Sequence, residues 1–132
     1  MNKLFKDIRH SNIEAVQAAI AKNSAVVNEV YNAKAPKKDI GQSPLQVAIK
    51  CGEFEIIELL LENGANPDFM EDMALVPPHS VCMPVLHDAI IGAFSTLCYK
   101  RYSDSEKYVD LIQTLLERGA NPNRKTSSGL YP

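Results

Sequence analysis

Tryptophan is absent from the 132 residues, cysteine occurs three times, and neither sign of charge dominates, with 14 basic against 16 acidic side chains and a net charge of −2. The missing basic excess removes nucleic acid and anionic membranes as leading partners. Three cysteines, an odd number without a CxxC pair, argue against a disulfide framework and for a reducing compartment, with cytoplasm as the default. Long apolar runs are missing too. The longest, such as residues 89–94, are far too short to span a bilayer, and charges scattered through the first twenty residues read as no targeting signal. No glycine-rich phosphate loop, HExxH or GxSxG occurs, so no catalytic constellation and no cofactor site is expected.

What the chain does have is a phrase said twice. LLENGANPD at residues 60–68 returns as LLERGANPN at residues 115–123. Each copy places leucines on a helix and then a glycine, Gly64 or Gly119, where the helix stops in a left-handed conformation, with proline soon after. Upstream of Gly64, Phe54, Ile56, Ile57, Leu60 and Leu61 fall at helical spacing, and Glu53, Glu55, Glu58 and Glu62 take the other face. Ser43-Pro44-Leu45 supplies a cap, a proline at the first helical position and the first core residue of a preceding helix that ends at Gly52. Two short antiparallel helices therefore precede the stop. A pair this short cannot bury its own apolar face, and a shift of 41 residues in either direction finds its neighbours. Backwards, Leu45, Ile49, Cys51 and Ile57 align with Leu4, Ile8, His10 and Val16, with Asn23 at the stop; forwards, Leu45, Gln46 and Ile49 align with Leu86, His87 and Ile90.

The stretch GQSPLQVAIKCGEFEIIELLLENGANPD, residues 41–68, resembles an ankyrin repeat, whose pattern runs GxTPLHxAAxxGxxEIVxLLLxxGAxxN. The third unit keeps Leu86-His87 and residues 115–121 but has Pro84-Val85 where Thr-Pro belongs, and the first matches by helix pattern more than by letters. The resemblance implies an all-α solenoid of stacked antiparallel helix pairs with finger loops. Its units are expected at about residues 2–28, 43–68 and 84–123, with a long finger at 29–42, an apolar finger at 69–83 and an incomplete fourth unit at 124–132. Against a period of about 33 residues, the repeated phrase comes 22 residues late, with 8 falling in the second finger and 14 at about residues 94–107.

That 14-residue insertion reads as helix. Both helices of the third pair are expected to be lengthened, with Ser103-Asp104-Ser105-Glu106 as the capping box that starts the second of them. Tyr99, Arg101, Tyr102 and Tyr108 would then project past the edge opposite the fingers, either packing the long pair against itself or forming a second surface. The finger insertion carries Phe69, Met70, Met73, Leu75, Val76, Val81 and Met83, which either fold back on the helices or form an adaptable contact surface.

The resemblance further implies a non-catalytic module that binds another protein through its fingers and inner helices, at Arg9, His10, Asp39, Ile40, Gln42, Lys50, Cys51, Ser80, Val81, Met83 and Ile91. The rival expectation is the targeting portion of a larger enzyme or secreted bacterial effector, which would act in a host cytosol. His79, Cys82 and His87 have no usual zinc spacing, and the family's histidine at the His87 position bonds between units, so no metal is expected. Cys51, beside the glycine turn, reads as a small buried thiol. Asn123, at the family's terminal asparagine, is a candidate for hydroxylation. The charge is uneven: +3 over residues 1–40, −6 over 41–82 and +1 over 83–132. A far face of the third unit that is partly apolar is expected to be covered by a continuation or by a second copy of the chain.

Overall fold

A computed structural model describes residues 2–34, 36, 39–76 and 81–129. Helices α1 (Asn2–Arg9) and α2 (Ile13–Lys22) are followed by a 3-10 turn at Ser24–Asn28, then α3 (Pro44–Cys51) and α4 (Phe54–Glu62), then α5 (Val85–Cys98) and α6 (Tyr102–Glu117). Among the described residues there are three helix pairs and no strand beyond one isolated bridge, Met70 to Pro84. The expected all-α solenoid is what forms.

The α3/α4 pair shows how sequence becomes structure. Ser43 Oγ accepts from Gln46 N at 3.3 Å while Gln46 Oε1 accepts from Ser43 N at 3.2 Å, a reciprocal cap with Pro44 fixed at the first position. Gly52 ends the helix at φ +70, and Gly64 and Gly119 end α4 and α6 at φ +93 and +106. At the turn within each of the other pairs, the left-handed position is held by Ser11 and Lys100, both at φ 57. A side chain there is strained by about 1 kcal/mol or more. Lys100 is exposed, so Lys100→Gly is expected to stabilise the fold by about 1 kcal/mol, seen as a rise in the urea midpoint at constant slope.

α1, α3 and α5 lie side by side as an inner row, with α2, α4 and α6 as the outer one. Between them runs one core, built on Phe5, Ile8, Val16, Leu45, Ile49, Ile56, Ile57, Leu60 and Leu115, all essentially without solvent contact. Phe5 meets Tyr31 edge to face at 4.8 Å, and Phe54 meets Tyr108 in the same way at 4.8 Å.

α5 has 14 residues against 8 in α3, and α6 has 16 against 9 in α4, so the third pair is lengthened by about 10 Å at 1.5 Å per residue. Tyr108 turns into the core, where its hydroxyl donates to Ile49 O at 2.7 Å; Tyr99, Arg101 and Tyr102 stay exposed. The long pair is therefore packed by one of its tyrosines and not by the other two. Gly92 is the reason Tyr108 fits: a Cβ there would stand 2.5 to 2.8 Å from the ring, which Phe54 and the Ile49 bond hold from the other side. Gly92→Ala is expected to lower stability by about 2 kcal/mol despite alanine's better helix propensity, read as a lower thermal midpoint with unchanged helical content.

Three local expectations need correction. α6 begins at Tyr102 without a side-chain cap, so residues 103–106 form no capping box. Arg101 instead binds Asp104 Oδ2 through Nε at 3.0 Å and Nη2 at 2.6 Å, and the buried Ser105 donates to Ala93 O at 3.3 Å. Asn23 does not adopt the left-handed form expected of a stop: at φ −153 it is extended, and its side chain caps the following 3-10 turn through Ala25 N. Cys51, the last residue of α3, is exposed and not the small buried thiol expected.

Candidate functional site

The fingers are bound to one another and to the inner row. Asp72 N donates to Gly41 O at 2.8 Å, and Gln42 Nε2 donates to Glu71 Oε1 at 3.1 Å, joining the first finger to the second. Glu71 N to Met83 O and Val85 N to Phe69 O close the legs of the second finger on each other. Phe69 packs on the core and Val76 presses against Gly41, so this apolar finger largely folds back, leaving Met73 and Val81 exposed. Burial lifts the Glu71 carboxyl above its ordinary value, and the bond from Gln42 partly opposes that.

At the root of the first finger stands a charge triad. Asp39 is 1% exposed and takes Arg9 Nε at 2.6 Å on Oδ2, with Arg9 Nη2 beside it, and Lys50 Nζ at 2.8 Å on Oδ1. Arg9 also lies over the Tyr31 ring at 5.1 Å. The carboxylate thus ties α1 and α3 to the finger. Its consequence for the sequence-derived contact residues is that Asp39 and Gln42 are enclosed, with Arg9 and Ile40 half-buried. His10, Lys50, Cys51, Val81 and Ile91 are exposed and Met83 is half-buried. Ser80 lies outside the described residues, as do His79 and residues 130–132 of the expected fourth unit.

The inner row is joined forward through Gln46. Its Nε2 donates to Met83 O and to Asp88 Oδ2, both at 3.0 Å. Burial pushes the Asp88 carboxyl up to about 7, against the bond from Gln46, with Glu71 raising it further and Lys50 lowering it. His87, expected to bond between units, makes no such bond among the described residues, where both buried ring nitrogens have no partner. Gln46 reaches forward to the next finger; the segment after α6 also returns to the second finger, with Ser127 N donating to Cys82 O at 3.0 Å and Cys82 N to Ser127 Oγ at 2.8 Å, but among the described residues it does not bond His87. Among those residues no three His, Cys, Asp or Glu side chains stand together as a metal site.

A second link repeats along the outer edge and was not apparent from the sequence. Asn28 Oδ1 accepts from Asn66 N at 2.7 Å, and Asp68 Oδ1 accepts from Asn121 N at 3.0 Å, with Arg124 closing on Asp68 Oδ2 at 2.9 Å. Each stop loop is therefore held by an Asn or Asp of the unit before it. Asn123 is exposed. Between α4 and α6 lies a groove of about 300 Å³ walled by Phe54, Glu55, Glu58, Leu61, Lys107 and Asp110.

The family model described as ankyrin repeats (3 copies) matches residues 2–71, just over half of the chain. No curated protein matches it. No helix among the described residues is long and apolar enough to cross a membrane.

Proposed function

Since the chain belongs to the ankyrin-repeat family, whose repeats are generally non-catalytic protein-interaction modules, we propose that it binds another protein across its fingers and inner row. The observation that carries this is the strip of exposed side chains along that side, from His10 through Lys50 and Cys51 to Val81 and Ile91. It begins polar, with Lys50 held on Asp39, and ends apolar, so the partner segment that fits is apolar where it meets Val81 and Ile91. The fingers are bonded to each other and to the helices before any partner arrives, so little ordering entropy opposes binding.

Capture from cell extract on immobilised wild-type chain, with Lys50→Glu, Met83→Glu and Ile91→Glu as competitors, tests this assignment. The expected outcome is a bound protein that the wild type competes off and the three variants do not. A partner competed equally by all three removes the assignment to this side.

A further inference from the structure

The third helix pair carries an apolar surface that the inner-row strip does not use. On α6, Tyr102, Val109 and Leu116 recur every seven residues with Ile112 between the last two, a heptad stripe whose remaining position is the buried Ser105, bonded to Ala93, and on α5 Ile90, Phe94 and Leu97 continue the apolar pattern. The stripe is turned away from α4: the helix side toward α4 carries Lys107, Asp110, Leu111 and Thr114, which line the α4/α6 groove. Exposure is 69% for Phe94, 53% for Leu97, 58% for Tyr102, 56% for Val109 and 41% for Leu116. No residue of the stripe is charged.

We propose that this face is an isologous dimer interface, closed by a second copy of the same chain with α6 antiparallel to the second copy's α6. Three properties of the face select a second copy. Its apolar area is of the right size: those five side chains, with half-buried Ile90 and Ile112, leave on the order of 600 Å² accessible, and a standard interface buries about 800 Å² per partner, of which somewhat over half is apolar. Its end positions are self-complementary, because Tyr102 and Leu116 stand seven residues to either side of Val109: an antiparallel partner then sets Tyr102 against Leu116, with Val109 meeting itself. Its flank is electrically compatible, since in that register Glu106 comes opposite Ile112 and Gln113 opposite Ser105, and no like charges meet there. The lengthened helices have a role in this arrangement: α6 reaches from Tyr102 to Leu116, two full heptads, where the 9-residue α4 could not.

Sedimentation equilibrium of the full chain from about 1 to about 100 µM covers the weak end expected for an interface of this size. The expected result is a dimer that Phe94→Glu and Val109→Lys each convert to monomer with the helical spectrum unchanged, both positions being exposed. Register is tested separately. Tyr102→Glu alone and Leu116→Lys alone should weaken association about tenfold or more, and the two in one chain should recover most of it, because each new charge faces the other across the two-fold axis. A wild type monomeric throughout the range, or a dimer that survives both Phe94→Glu and Val109→Lys, overturns the interface. Failure of the paired variant to recover overturns the antiparallel register. Because the face is distinct from the inner-row strip, these variants leave competition for a partner at Lys50 and Ile91 unchanged.

Discussion

Replacing Asp39 with alanine is expected to lower the unfolding free energy by about 3 kcal/mol, a large fraction of what a domain of this size has. The carboxylate is enclosed and receives two cations from different helices, Arg9 at the end of α1 and Lys50 at the end of α3. Removing one partner of a buried ion pair leaves the remaining charge without compensation, which costs about 3 to 5 kcal/mol when the site is fully closed. Arg9 and Lys50 keep 22% and 30% of their side-chain surface, so water relieves part of that loss and the lower end applies. A double-mutant cycle separates the pair from the packing: Arg9→Met/Asp39→Leu should lose less than the two single losses added. Urea unfolding checks both. A loss below about 0.5 kcal/mol for Asp39→Ala would mean the triad is an ordinary surface contact.

The triad also shows where sequence reading stops. The paired helices, the cap at Ser43, the glycine stops and the lengthening of α5 and α6 follow from periodicity and from residues within one turn of each other, so they were legible. Arg9, Asp39 and Lys50 were singled out as well, but as separate contact positions and not as partners of one another. Arg9 and Asp39 are 30 residues apart, and only the path of the finger brings them together, which no local pattern records. Gln46 is similar. It occupies the position where the repeat pattern has histidine, and it makes the forward link that His87 in the next unit does not. The start of α6 was misplaced by two residues because Ser103 and Glu106 satisfy a capping pattern, while the Arg101 to Asp104 pair and the Ser105 bond to α5 fix the first turn differently. Tertiary contacts overrode a local preference worth about 1 kcal/mol.

Asp88 should make the fold less stable as the solution becomes more basic. Its carboxyl has an ordinary value of 3.8, raised to about 7 in the folded chain chiefly by burial between α5 and α3. Below about pH 4 the group is protonated in both states and contributes nothing to pH dependence. From there to about pH 7 the unfolded chain has released the proton and the folded chain still holds it. Each unit of pH then favours unfolding by up to about 1.4 kcal/mol, and the effect saturates above the folded value. The full shift corresponds to about 4 kcal/mol at most, and relaxation around the charged form reduces it to about 2 or 3. Glu71, also raised by burial, acts with the same sign, while carboxylates whose ionised form is favoured act oppositely, so the net curve of the wild type is not the readout. The difference from Asp88→Asn is. An amide keeps the acceptor that Gln46 Nε2 binds and has the shape of the neutral carboxyl. The variant should match the wild type near pH 4 and exceed it by about 2 to 3 kcal/mol near pH 8, with the gap opening between those values. Urea midpoints measured in parallel at several pH values decide it: curves that stay parallel would show that Asp88 is ionised in the folded chain at neutral pH, and with it that the junction between α3 and α5 is wetter than its packing implies.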